Sequence, residues 1–289
     1  MSEGLIPIII LLGVLIILSL YNNLRYNSME LGSGLALLGS AKLIEKLLGP
    51  TCEYIGQNIQ QLTKRMHENL AKIFINAEAK LGDRINEEGK VPPKVLKSIL
   101  ENGAWCEEEL QCEYFGGVLA SSRSAISRDD RGAYLANVVT KLSSYHIRMH
   151  YLIYSEIRRL FSGNSSNICE QATRRNLEIY IPIDTYIQAM DFSEEEVKRL
   201  FELTPHVLFG LSNIGLIENN FQYGPRDSIK NRFPDADNYG IIVQPSQMGV
   251  ELFMWAYGYG LEPLTSFFDS SLKFNPIEGI IIGKAYSTK

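Results

Sequence analysis

The sequence has no C-x-x-C pair, no excess of positive charge and, from Leu5 to Tyr21, no charge at all. Each absence excludes something. The four cysteines are Cys52, Cys106, Cys112 and Cys169, and the nearest two in sequence, Cys106 and Cys112, match no common zinc knuckle. A disulfide framework belongs to short secreted chains, whereas this chain has 289 residues and 45% hydrophobic content. Free thiols in a reducing compartment are therefore expected. The 28 Lys and Arg residues against 33 Asp and Glu give a net charge of -5, so bulk charge argues against a nucleic-acid-binding surface. G-x-S-x-G, a Rossmann glycine pattern and a paired Cys–His nucleophile signature are all missing. Gly34, Gly39 and Ser40 approach a phosphate loop, but Ser40-Ala41 stands where Lys and then Ser or Thr are required. No cofactor and no catalytic residue is expected.

What is present begins with the charge-free run LIPIIILLGVLIILSLY, residues Leu5 to Tyr21, which includes Ile10, Leu15 and Leu20. Its 17 residues rise about 25 Å as a helix, against a hydrocarbon core of roughly 30 Å. Continuing to Leu24 closes the gap, and Tyr21 and Tyr26 suit the interface. A cleaved signal peptide is disfavoured, because Met-Ser-Glu-Gly lacks a positive n-region and no A-x-A comes after the run. A buried core helix is the other alternative. Residues 1–26 are expected to be a single-pass anchor in the lipid bilayer of the inner (cytoplasmic) membrane, with Leu5, Ile10, Leu15 and Leu20 embedded. No Lys or Arg precedes the run, while Arg25, Lys42, Lys46, Lys64 and Arg65 come after it. The positive-inside rule then puts the C-terminal body in the cytoplasm.

Residues 27–50 form a Gly- and Ser-containing juncture. Its Leu43, Ile44, Leu47 and Leu48 keep a helical period up to Gly49-Pro50. It is either an interfacial amphipathic helix, with Lys42 and Lys46 at the headgroups, or a small helix packed on the body. Residues 51–163 are expected to be a helical domain. Ile55 to Leu81 repeat apolar residues every three or four positions, which predicts a long amphipathic helix stopping at Gly82. Pro92-Pro93 opens a second helix, a third starts near Trp105, and a fourth runs from about Arg131 to Phe161 with a bend near Ser143-Ser144. The loop Gly163–Asn167 marks a candidate domain boundary.

Residues 164–260 read differently. Leu177–Ile181 suggests a strand, and Ser193 with Glu196 forms a capping box. A further helix is expected from Pro205 to Gly215, then Leu216-Ile217, a polar loop, the apolar run Ile241–Val243 and a helix from about Ser246 to Tyr257. The fold class is therefore mainly α, with an N-terminal transmembrane helix, a helical domain and a winged-helix-like α+β module with a short hairpin. Residues 261–289 are expected to be a C-terminal tail. In the loop between Asn219 and Asn238, Arg226, Lys230 and Arg232 are matched by Asp227, Asp235 and Asp237. Such a neutral wing is a poor phosphate binder, so packing or dimerisation is the favoured role and a nucleic-acid partner is disfavoured.

Two polar constellations stand out. Ser121 to Gly132 places Arg123, Arg128 and Arg131 around Asp129 and Asp130. Guanidinium forks there could bind an anion or a partner. The competing reading is that an aspartate caps the next helix and the arginines pair locally. His146 and His150 lie four apart on one helix face, a spacing open to metal, but Ile147 stands where H-E-x-x-H needs Glu. Satisfied structural histidines are the favoured reading, and no metal is expected.

Several phrases, in order, resemble the abortive infection alpha proteins of bacteria: Leu48–Gly56 (LGPTCEYIG), Val91–Leu96 (VPPKVL), Trp105–Leu110 (WCEEEL), Glu113–Arg123 (EYFGGVLASSR) and Arg128–Gly132 (RDDRG). The resemblance covers roughly residues 46 to 260. It implies a bacterial anti-phage role and supplies no catalytic residues. The function it suggests is a membrane-tethered defence protein acting by protein interaction or membrane effect, with a phage or host protein, or a second copy of the chain, as partner. The alternative is a nucleic-acid or nucleotide sensor or enzyme using the 121–132 cluster.

Overall fold

The computed structural model describes residues 52–126, 128–163 and 166–288. The run Leu5–Tyr21 and the 27–50 juncture lie outside these residues. Among the described residues no helix is long and apolar enough to cross a membrane. The chain divides into residues 1–62 and residues 63–289, and the second unit holds the apolar core.

The long amphipathic helix is α1 (Cys52–Leu81), which buries Ile73 and Ala77 and leaves Phe74 and Ile75 exposed. Gly82 then takes a left-handed φ of 51°, which permits the sharp exit into a 3-10 turn, Gly82–Asn86. Helix α2 (Pro93–Gly103) starts on the two prolines, where a missing N–H has no helical partner to lose. Helix α3 (Glu109–Ser121) is buried along most of its length. The expected single helix from Arg131 to Phe161 is two helices, α4 (Arg131–Lys141) and α5 (Ser144–Leu160). The break has a local cause. The Ser143 hydroxyl accepts the His146 N–H, and His146 Nδ1 accepts the Ser143 N–H in return.

After the loop come α6 (Gln171–Arg175), β1 (Ile179–Pro182), α7 (Ile183–Met190) and α8 (Glu194–Lys198). The capping box of Ser193 and Glu196 forms as expected. Helix α9 is Leu200–Asn213 and passes through Pro205 instead of starting there. The lost proline N–H would have bonded near exposed Phe201, where water can satisfy the orphaned carbonyl. Next are β2 (Gln222–Gly224), α10 (Arg226–Ile229), β3 (Gly240–Val243) and α11 (Gln247–Ala256). Strands β2 and β3 pair antiparallel, joined through residues 225–239 that include α10, and Ile217 bridges Pro245.

Residues 261–289 are not a tail. Phe267 and Phe268 of a 3-10 turn are buried, and β4 (Tyr286–Ser287) pairs with β1. The sheet order is β2-β3-β1-β4, antiparallel throughout. Nor does the expected boundary at 163–167 separate two cores: Tyr114, Tyr151, Tyr154, Phe253 and Phe267 share one continuous apolar interior. Burying such side chains, at roughly 1.5–3 kcal/mol each, favours the shared core over two smaller ones.

The packing pivot is Gly116-Gly117. A Cβ at Gly116 would lie 2.6 Å from Asn76 Cβ of α1, and one at Gly117 would lie 1.9 Å from the Ala256 carbonyl oxygen of α11. The two glycines let α3 press against α1 on one side and α11 on the other.

Candidate functional site

Of the 121–132 arginines and aspartates, Arg131 and Asp129 pair with each other, Arg123 and Asp130 reach partners far back in the chain, and Arg128 has none among the described residues. Arg123 donates from Nη1 to the Arg84 carbonyl at 2.8 Å and from Nη2 to those of Ile85 and Glu87, closing the 3-10 turn. Arg131 forms a fork with Asp129, at 2.8 and 2.7 Å, and its guanidinium lies over the Trp255 ring, 5.3 Å from the centroid. That fork holds the Asp129 carboxyl below the usual carboxylate range. Asp130 pairs with Lys94 at 2.9 Å and makes no side-chain cap on α4. Arg128 is exposed and has no partner among the described residues. Local pairing therefore holds for Arg131 and Asp129 alone.

The histidines point apart. His150 is fully buried: its Nε2 meets the Gly249 carbonyl at 3.1 Å, and its Nδ1 meets the Tyr114 hydroxyl at 2.8 Å. A carbonyl only accepts, so Nε2 carries the proton and Nδ1 accepts from Tyr114. Burial pushes its pKa down to about 3. His146 sends Nε2 to the His206 carbonyl at 3.3 Å and packs against Gly210. Among the described residues no group of three or more His, Cys, Asp or Glu is placed to hold a metal ion. Cys106 and Cys112 are free and buried, and the neighbouring Cys112 thiol together with burial pushes the Cys106 pKa up.

A second polar region has no counterpart among the sequence expectations. Glu178, just before β1, is buried, and its carboxylate takes hydrogen bonds from Arg232, Gln244 (2.6 Å) and Thr288 (3.1 Å). Beside it lies a cleft of about 550 Å³ lined by Gln171, Arg174, Arg175 and Gln244 with the 218–220 loop. Arg174 is held by Glu218 (2.9 Å) and by the carbonyls of Ile168 and Cys169, which leaves its Nη2 without a hydrogen bond among the described residues. Asn219 accepts from the Ser212 hydroxyl at 2.6 Å. Asn219 also borders a second depression, of about 530 Å³, whose walls include Phe209, Phe221 and Tyr223. Phe221 stacks near Tyr223 and meets Phe209 edge-on, at centroid distances of 6.5 and 5.1 Å.

The residues of this region span positions 171 to 288 and come from α6, α9, the 218–220 loop, the paired strands β2 and β3 and the C-terminal segment. The dipeptide Arg174-Arg175 is the one local sign of it. Comparison of the chain with family models, curated proteins and solved structures finds no match.

Proposed function

We propose that the chain is a membrane-tethered bacterial anti-phage protein of the abortive infection alpha kind, acting through a protein partner. The observation that carries the interaction half is an apolar ridge on α8 and α9. Val197, Phe201 and Phe209, spaced at multiples of four, are 37%, 71% and 53% exposed. Large aromatic side chains left in water at helical spacing suit a partner's groove. The tether half rests on the charge-free run Leu5–Tyr21 and the basic residues after it. We read residues 193–257, in which α8 and α9 precede the β2–β3 pair and α11, as a winged-helix-like module serving contact with protein instead of nucleic acid. Tethering would raise the local concentration of that partner at the bilayer.

The test is membrane fractionation with a phage challenge of three proteins: full length, a 1–26 deletion and Phe201→Asp. Full-length protein is expected in the membrane fraction and protective. The deletion should be released from the membrane and lose protection, and Phe201→Asp should stay membrane-bound, folded and unprotective. Protection by the deletion would refute the tether, and protection by Phe201→Asp would refute the ridge.

A further inference from the structure

The cleft at α6 and the aromatic depression beside it adjoin at Asn219, and their chemistries are complementary halves of one ligand. On the polar side, hydrogen-bond donors outnumber acceptors. The Nη2 of Arg174 is unused, and Arg175 is exposed with no partner among the described residues. The Asn219 and Asn220 side-chain oxygens already accept, from Ser212 and Arg232, which leaves both amide nitrogens as donors. The one carboxylate in the wall, Glu218, is neutralised by Arg174. The uncompensated guanidinium of Arg175, the remaining Nη2 donor of Arg174 and two carboxamide donors suit an oxyanion. Asn220 is also held in place: buried Glu178 fixes Arg232, which holds both the side chain and the carbonyl of Asn220. On the other side, the rings of Phe209, Phe221 and Tyr223 offer faces and edges to a planar ligand.

We propose that this paired site binds a nucleoside phosphate, with the phosphates among Arg174, Arg175, Asn219 and Asn220 and the base against Phe209, Phe221 and Tyr223. The polar cleft, at about 550 Å³, falls within the roughly 300–1,000 Å³ of small-molecule sites. A free nucleotide suits the site better than a strand. The chain's net charge is -5, and a long strand draws its affinity from many neutralised phosphates. The site does not depend on the tether, and it shares only Phe209 with the α8–α9 ridge, whose own test is Phe201→Asp.

Calorimetric titration of the full-length chain in mild detergent tests it, with ATP, inorganic triphosphate, adenosine and a ten-nucleotide single-stranded DNA as probes at about 150 mM salt. ATP is expected to bind, and the triphosphate and adenosine each more weakly, by on the order of tenfold or more. Arg175→Ala and Phe209→Ala should each weaken ATP binding to a similar degree, while Arg128→Ala, an exposed arginine of the 121–132 stretch, should leave it unchanged. Both tested side chains are exposed, so thermal melting should match wild type. No ATP binding would overturn the proposal. So would inorganic triphosphate or adenosine binding as tightly as ATP, the oligonucleotide binding more tightly, or Arg128→Ala losing as much as Arg175→Ala.

Discussion

Acidification from pH 7 to pH 5 should remove about 2 kcal/mol of stability through His150 alone. The imidazole is fully buried between the Tyr114 hydroxyl and the Gly249 carbonyl, with the rings of Tyr154 and Phe253 beside it, and its pKa in the folded chain is about 3. In the unfolded chain the value is about 6.5. The folded value is the lower one, so the unfolded state binds the extra proton. Stability from the neutral ring is therefore full above about pH 6.5, declines as the pH falls and is exhausted near pH 3. At about 1.4 kcal/mol per unit of separation, the loss approaches about 5 kcal/mol at the acid limit and is about 2 kcal/mol by pH 5. Denaturant unfolding of wild type and His150→Gln at pH 7, 6 and 5 measures it. Glutamine cannot titrate and leaves Tyr114 without its acceptor, so the variant should be weaker at pH 7 by about 1–3 kcal/mol. The gap between the two should then shrink by about 2 kcal/mol on going to pH 5. Burial also lowers the His146 pKa, but this residue is common to both proteins and cancels in the difference. A gap constant to within about 0.5 kcal/mol across the range would refute the reasoning.

Packing and buried charge set two more measurable costs. Gly117→Ala should lose about 3 kcal/mol or more in denaturant unfolding, because the new Cβ meets backbone atoms of Ala256 at 1.9–2.5 Å and α3 must retreat from α11. A loss under about 1 kcal/mol would mean the two helices are not held at that distance. Glu178→Ala should cost about 3 kcal/mol by the same assay, since it leaves the guanidinium of Arg232, whose side chain is 22% exposed, without its counter-charge. Adding Arg232→Met should recover part of that loss, and no recovery would show that the pair is not the origin of the effect.

The elements written in local chemistry are legible in the chain. The 3.6-residue repeat before Leu81, the prolines opening α2 and the Ser193–Glu196 box all appear in the structure as the sequence implies. Each is decided by residues within a turn of one another. Departures occur where a local feature is ambiguous. Ser143 reads as a bend or as a cap until His146 is seen to answer it, and Pro205 reads as a helix start until an exposed first turn absorbs it. The 261–289 segment carries apolar residues without a period, so its docking cannot be inferred from pattern.

Periodicity, capping and charge are properties of neighbouring residues, so the helical character of the body, the starts of α2 and α8 and the uncharged composition of residues 5–21 are legible in the chain. Tertiary structure alone decided what the polar side chains do. His150 meets a carbonyl 99 positions away, Arg123 closes a turn 36 to 39 positions upstream, and Glu178 gathers donors from 54 to 110 positions downstream. Partners so distant in the chain leave no spacing to read, and only the folded backbone brings their hydrogen bonds within reach.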